Sequence, residues 1–371
     1  MPVPTAPDWT GRLRWLSGAC ADLDQGSVAV TSATNIRYLT GFHGTAGLLL
    51  ATPDEAVLLV DGRYVTAARQ QAETGALGPV RVEVVTGSYD SALTAQLLAR
   101  DTVRVGFEAA DVTVARLSAW QRLAPSISWV PTEGLVERRR VVKDVWEVDL
   151  LTRAGGLLSE VAGRLGALLA EGRSEREVAR SIDQEIDRAG FSAPAFETIV
   201  ASGPNSALPH ARPTERRLAE GDLVVLDFGG VLDGYCVDLT RMAALRPVRP
   251  DGEALVDAVR DAQTAALKAV APGMAGSAVD AAARGLLEAR GLGKAFLHGT
   301  GHGLGLEVHE APRLGPSGSG VDEPLEPGMV CTIEPGAYVE GVGGARLEDD
   351  VLVTAAGCQI LTTAPRDLLI I

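Results

Sequence analysis

Over the first 135 or so residues, short apolar runs alternate with stretches in which apolar positions recur at helical spacing. The runs GSVAVTS (26–32), AGLLLAT (46–52) and AVLLV (56–60) are followed by the helical pattern RYVTAARQQA (63–72). Then come VRVEVV (80–85), SALTAQLLAR (91–100), VRVGFE (103–108) and ARLSAWQRL (115–123). Strands interleaved with helices of this length predict an α/β domain built on a mixed sheet. The charged stretch Glu137-Arg138-Arg139-Arg140, followed by VVKD, reads as a linker or equally as the first turn of a solvated helix. The domain boundary is placed there, giving an N-terminal domain over 1–135 and a second domain over 136–371.

From Val145 a helical pattern runs to Gly172, interrupted by Gly155 and Gly156. Ser174 and Glu177 form a capping-box signature that opens a second helix, predicted to end at Gly190. Strand-like segments follow: FETIVAS (196–202), DLVVLDF (222–228) and YCVDLTRMAAL (235–245). This region then repeats. Gly172, Val178 and Gly190 recur 101 residues later as Gly273, Val279 and Gly291, and LAEGDLVVLDFG (218–229) matches LEPGMVCTIEPG (325–336) at an offset of 107. The repeat predicts two α+β halves related by a pseudo-two-fold, each giving a helix pair and strands to one curved sheet. It sets Asp227 opposite Glu334.

Those two positions put a carboxylate inside an otherwise apolar strand, where a lone charge costs several kcal/mol unless it is paired or bound to a metal. Asp238 is predicted to face Asp227 across a hairpin turning over Gly229–Gly234. In the second repeat Glu348 follows Glu334 after the glycine-rich turn 341–344, in the same layout. Like charges so placed repel, and a divalent cation between them removes the repulsion. Four carboxylates suit hard or borderline metals.

Three of the chain's five histidines, His298, His302 and His309, lie within HGTGHGLGLEVHE (298–310). Each alone reads as a structural histidine, but three in a glycine-rich segment point to a site. Four carboxylates and one imidazole can hold two metal ions roughly 3.5 to 4 Å apart with a hydroxide between them, a hydrolytic arrangement.

Composition narrows the field. The net charge of −14 and pI near 4.9 argue against nucleic acid or an anionic membrane as partner, and aromatic residues, at 4%, give little surface for stacking bases. No run approaches the about 18 apolar residues of a membrane helix, and the N-terminus lacks a secretory pattern, so a cytoplasmic location is expected. Cys20, Cys236, Cys331 and Cys358 are widely spaced, as buried reduced thiols would be.

The ordered set VLDFGG (225–230) with DLTR (238–241), then HGTGHGLGLEVHE, TIEPGAY (332–338) and ARLEDD (345–350), resembles the pita-bread metallopeptidases: prolidase, aminopeptidase P and methionine aminopeptidase. The likeness runs from Val141 onward. The segments NIRYLTGF (35–42) and LLVDGRYVTAA (58–68) are similar to the creatinase-like domain that precedes the catalytic one in prolidases, aminopeptidases P and creatinases. The resemblance implies that Asp227 binds one metal, that His302 and Glu334 bind the other, and that Asp238 and Glu348 bridge them.

It further gives Glu334 a role in proton transfer, and has His309 hydrogen-bond the scissile carbonyl oxygen. His298 and Arg346 would support the substrate and the ligands around it, with His298 counted among the catalytic groups. His210 would line the proline-side pocket, though a plain loop histidine is an equal reading. Tyr235 and Tyr338 read as core packing. Two departures, Trp146 within VVKDVWEVDLL and Met242 within TRMAAL, touch no proposed ligand.

The implied activity is metal-dependent hydrolysis of the Xaa-Pro bond, in dipeptides (prolidase) or, as the alternative, at the start of longer peptides (aminopeptidase P). The compact length favours the first. Arg212, Arg37 and Arg63 are the candidate clamps for a free carboxylate. A catalytically inactive peptide- or protein-binding module is the remaining reading, and the intact ligand set argues against it. The family further implies a homodimer in which the N-terminal domain covers the partner's site. Manganese is the expected ion, with cobalt, zinc or iron compatible with the same donors.

Overall fold

The computed structural model describes residues 6–22, 26–318 and 322–371. They form two compact units that divide between Arg140 and Val141. The helix Leu135–Val141 occupies the charged stretch for which a linker was the other reading.

The N-terminal unit carries a six-stranded mixed sheet whose strands lie in the order 81–85, 56–61, 48–51, 28–30, 104–108, 128–132. Strands 28–30, 48–51 and 56–61 form an antiparallel meander, and the other three pairings, 56–61 with 81–85, 28–30 with 104–108 and 104–108 with 128–132, are parallel. Leu48, Leu50, Val57, Leu59, Val105 and Phe107 pack from the sheet against Leu93, Leu97 and Trp120 of the helices Tyr89–Leu98 and Val114–Leu123. Trp120 is fully buried and its indole N–H donates to Asp90 Oδ1 at 2.7 Å, which removes the cost of an unpaired donor. The helix Trp9–Asp22 does not show in the apolar pattern, because Gly11 and Gly18 lower its helical propensity.

In the C-terminal unit the repeat is visible bond by bond. The helices Glu175–Arg188 and Gly276–Ala289 begin and end 101 residues apart, and the strands Leu223–Leu232 and Val330–Ile333 begin 107 apart. The isolated bridge Ser174–Arg217 has its counterpart in Ala275–Pro324. Likewise the Gly172 N–H donates to the Leu218 carbonyl at 2.9 Å, and the Gly273 N–H to that of Leu325 at 2.8 Å. Ser174 and Glu177 make the expected capping box, and Asp144 with Glu147 makes another at the start of helix Val145–Gly163.

Each half has a five-stranded sheet. In the first, Leu223–Leu232 pairs with Tyr235–Ala244 on one side and with Ala193–Pro194 and Ile199–Ser202 on the other. In the second the order is 310–314, 301–303, 330–333, 349–354, 357–360. Val224, Leu226 and Phe228 pack toward the helices of the first half, including Leu150, Leu158, Val178 and Ile182. Leu223 and Val225 join the core of the second half with Leu255, Val259, Val279 and Leu287. Alternation places Asp227 on that second face. Met242 is buried in the same core, and Trp146 sets its edge on Tyr235, ring centroids 5.8 Å apart, so both sequence departures are packing residues.

Four expectations are corrected. The two halves do not contribute to one curved sheet: each has a five-stranded sheet of its own. The first hairpin turns at Asp233-Gly234, both at positive φ (46° and 81°), not over the six residues from Gly229. Gly229 lies within the strand because a Cβ there would sit 2.5 Å from the Val237 carbonyl oxygen and 2.7 Å from Phe196 Cε1. Asp227 and Asp238 do not stand directly opposite one another: Asp227 pairs with Thr240 and Asp238 with Gly229, which makes the two carboxylates diagonal neighbours on one face. The second hairpin is not continuous like the first. Val330–Ile333 pairs with Asp349–Thr354, Gly336–Val339 pairs with Gly343–Arg346 in a separate two-stranded sheet, and Glu334 and Glu348 fall at the break.

Candidate metal centre and catalytic cavity

A cavity of about 540 Å³ opens between the two halves of the C-terminal unit, lined by Asp227, Asp238, His302, Glu334, Glu348, His210, His298, His309 and Arg346 together with Phe196, Ile199, Val308, Glu310 and Arg313. All nine sequence-predicted site residues therefore line one space. Asp238, His302 and Glu348 offer ligand atoms that all lie within 4.8 Å of one another.

Backbone geometry accounts for this convergence. Asp227 and Asp238 ride on the regular ladder of the first hairpin. His302 sits in the short strand Gly301–Gly303, held between two neighbours so closely that a Cβ at Gly301 would lie 2.0 Å from the Thr332 carbonyl oxygen, and one at Gly303 2.0 Å from that of Ala311. The glycines in this segment thus serve strand packing around the histidine. Glu334 donates its N–H to the Thr300 carbonyl (2.7 Å), and Glu348 donates its own to the Thr240 carbonyl (3.2 Å).

Side-chain partners fix the rest. Thr240 Oγ1 donates to Glu348 Oε2 at 2.6 Å, and Thr332 Oγ1 donates to Glu334 Oε1 at 3.2 Å while accepting the His302 N–H at 3.0 Å. His302 Nδ1 lies 3.0 Å from the Gly303 carbonyl and Nε2 lies 3.2 Å from Glu334 Oε1, so without a cation the ring is held in its protonated form, which donates to both. Arg346 bonds Asp227 Oδ2, the Tyr338 hydroxyl at 2.7 Å and the Pro209 carbonyl at 3.1 Å. The Tyr338 hydroxyl also meets His298 Nε2 at 3.0 Å. Tyr338, expected in the core, is therefore a link between Arg346 and His298.

Electrostatically the cavity is strained without a cation. Burial, followed by the charges of Glu348 and Asp227, pushes Asp238 well above the ordinary carboxylate range, and burial followed by Glu334 and Asp227 does the same to Glu348. Burial raises Asp227 despite Arg346. Burial also acts to raise Glu334, but the hydrogen bond and charge of His302 outweigh it and bring that carboxyl down to about 2. Burial, then the neighbouring His302, lowers His309, so that its ring is neutral near pH 7.

The donor set fits divalent cations. Asp227 Oδ1, Asp238 Oδ1 and Glu348 Oε1 are buried without a hydrogen-bond partner among the described residues, as is Asp350 Oδ1. Such acceptors are rare in folded proteins unless something outside the protein satisfies them. Carboxylate oxygens with one imidazole nitrogen are a donor mixture for a hard or borderline divalent ion.

Two residues escaped sequence reasoning. Asp350, fully buried, takes the Asp238 N–H on Oδ2 at 3.0 Å, and its signal was its i+2 spacing from Glu348 along a strand. Arg313 lines the cavity on the strand beside His302, its register partner, and has no ion pair among the described residues. Of the arginines named as clamps, Arg212 is exposed and pairs with Glu197 at 3.3 Å, while Arg37 and Arg63 belong to the N-terminal unit.

Fold and site together define a metal-dependent hydrolase with a carboxylate-rich centre between pseudo-symmetric halves. Residues 149–355 match the model of metallopeptidase family M24, and residues 12–142 match the creatinase/prolidase N-terminal domain. The chain belongs to metallopeptidase family M24 and is a metal-dependent peptidase. It is 31% identical to the Xaa-Pro dipeptidase of Pyrococcus furiosus, over 92% of this chain and 94% of that protein. Among solved structures it is similar to an Xaa-Pro dipeptidase from Bacillus anthracis (TM-score 0.92, 33% identity, 98% of this chain and 100% of that one). It is also similar to an X-Pro aminopeptidase from Thermotoga maritima (TM-score 0.88, 29% identity, 97% and 100%). No helix among the described residues is long and apolar enough to cross a membrane.

Proposed function

We propose that this protein is an Xaa-Pro dipeptidase whose two divalent ions are held by Asp227, Asp238, His302, Glu334 and Glu348, with Asp238 and Glu348 shared between them. The three unpartnered carboxylate oxygens support that ligand set. Manganese is the ion we infer first, from the resemblance to the family, while cobalt, zinc and iron fit the same donors. When bound, such a pair polarises a carbonyl and acidifies water near neutral pH.

The chain's own groups supply the remaining functions. Glu334, whose Oε1 accepts from the Thr332 hydroxyl on the cavity wall, would take a proton from the attacking water at its carboxylate. His309, neutral because it is partly buried beside His302, is placed to donate a hydrogen bond to the scissile carbonyl oxygen as negative charge develops there. Phe196, Ile199 and Val308 give the cavity an apolar wall against which a proline ring fits.

Arg313 is the observation that favours dipeptides. Arg313 is exposed, lines the cavity and has no ion pair among the described residues, so its guanidinium is free to meet the carboxylate of a two-residue substrate, which a longer peptide lacks at that position. The test compares an Xaa-Pro dipeptide with the same sequence extended to a tripeptide, using wild type and Arg313→Met reloaded with manganese. Preference for the dipeptide is expected. Arg313→Met should raise its KM about 10- to 100-fold, the effect of losing roughly 1.5 to 3 kcal/mol from a charged hydrogen bond. Equal or better cleavage of the tripeptide, with Arg313→Met silent, would assign the protein instead to the aminopeptidase reading that the Thermotoga neighbour also allows.

A further inference from the structure

The loop 296–300 carries His298 into the cavity and ends at Thr300, whose carbonyl takes the Glu334 N–H. Apolar burial does not anchor its middle, because Leu297 is 64% exposed. Phe296 is buried in the core at its start, and the His298 ring meets the Gly299 carbonyl and the Tyr338 hydroxyl, while an ion pair on the helix Gly276–Ala289 holds the backbone on either side of Leu297. Arg284 donates through Nη2 to the His298 carbonyl at 2.8 Å and through Nη1 to the Phe296 carbonyl at 3.1 Å. Its guanidinium carbon lies 4.1 Å from the centroid of the Phe296 ring, which meets the His298 ring edge to face at 5.2 Å. Asp280, 1% exposed, locks the guanidinium from the other side, accepting Nε at 2.8 Å and Nη2 at 3.0 Å. The same carboxylate takes both the N–H and the hydroxyl of Thr300, each at 3.0 Å.

We propose that Arg284, locked by Asp280, is a positioning residue for His298: it fixes the backbone and the flanking aromatic ring that aim the imidazole at the substrate. The proposal rests on the reading of His298 as a substrate-facing group. An i, i+4 Asp–Arg pair is ordinarily a surface feature of little energetic weight. Here both carbonyls flanking Leu297 depend on it, and neighbours of this kind typically change activity 10- to 100-fold when removed, by letting an active group drift.

A double-mutant cycle separates positioning from bulk stability. Arg284→Met, His298→Ala and the double variant are assayed for kcat/KM on an Xaa-Pro dipeptide, with metal content and thermal midpoint measured on each. The expected result is a loss of about tenfold for Arg284→Met with metal content kept, shrinking to under about twofold in the His298→Ala background. Arg284→Lys keeps the charge opposite Asp280 but cannot reach both carbonyls, so it is expected to lose less. It also carries the same cycle if the methionine variant does not fold. Additive losses that track the thermal midpoint would overturn the proposal while leaving His298 its role. A silent His298→Ala would overturn that role and the positioning claim with it.

Discussion

The two halves of the C-terminal unit place carboxylates at equivalent points by different means. In the first half the ladder between Leu223–Leu232 and Tyr235–Ala244 runs unbroken over ten residue pairs, so Asp227 and Asp238 are set by the sheet itself. In the second half the ladder stops at Ile333 and Asp349, and the main chain of Glu334 and Glu348 is tied instead to Thr300 and Thr240. The tie to Thr240 crosses from one half to the other. The side chains follow suit, since Glu348 leans on the Thr240 hydroxyl and Glu334 on that of Thr332. A pseudo-symmetric site thus has one pair of carboxylates that is rigid by construction and another that depends on individual bonds. The second pair is the more exposed to single substitutions away from the ligands.

The largest effect expected is on the rigid pair. Asp238→Asn should lower kcat by about 10³-fold or more, because it removes a charge aimed at the reacting centre. It should also raise the thermal midpoint of the metal-stripped protein, since a buried carboxylate crowded by Glu348 and Asp227 is neutralised. A stripped variant that melts lower than stripped wild type would contradict the electrostatic half of this account.

Thr240→Val probes the dependent pair. It keeps a β-branched side chain in the strand but deletes the bonds to Glu348 and from Arg346, so metal affinity or activity is expected to fall about 10- to 100-fold, along with a loss of about 1 to 3 kcal/mol in stability from the unsatisfied partners. An effect under twofold in metal titration and in kcat/KM would show that the broken ladder holds Glu348 without help.

The smallest effect is the pH dependence of the stripped protein. Asp227, Asp238, Glu348 and Asp350 bind protons more tightly folded than unfolded, because burial raises each of them. By linkage, their contribution to stability falls as pH rises above the ordinary carboxylate range of about 4. Glu334, held at about 2, has the opposite sign: its contribution is full above the unfolded value and lost as pH falls toward 2. Between about pH 4.5 and 7.5 Glu334 adds no slope, the lowered His298 and His309 oppose the four raised carboxylates and the raised His302 adds to them, so thermal midpoints of stripped protein should decline as pH is raised, and saturating manganese should remove the decline.

Much of the arrangement was legible because it repeats. The offsets of 101 and 107 located both second helices and both central strands, and the apolar runs around Asp227 and Glu334 singled out the carboxylates. What stayed hidden depends on contacts between strands. Gly229 and Gly230 resemble turn residues in one dimension, and only the close approach of Val237, Phe196 and Phe191 shows them to be strand positions. Arg313 earned no notice from its surroundings in sequence; only the ladder shows that it lies opposite His302. Asp280 and Arg284 have the spacing of an ordinary solvated helix pair, and their bonds to Thr300, Phe296 and His298 exist only once the loop folds back on the helix.

The dinuclear centre is tested most directly by calorimetric titration of the stripped protein with manganese, with dipeptide hydrolysis followed on the same samples. Two ions per chain are predicted, with full activity reached only as the second site fills. Saturation and full activity at one ion per chain, or hydrolysis by protein holding none, would contradict it.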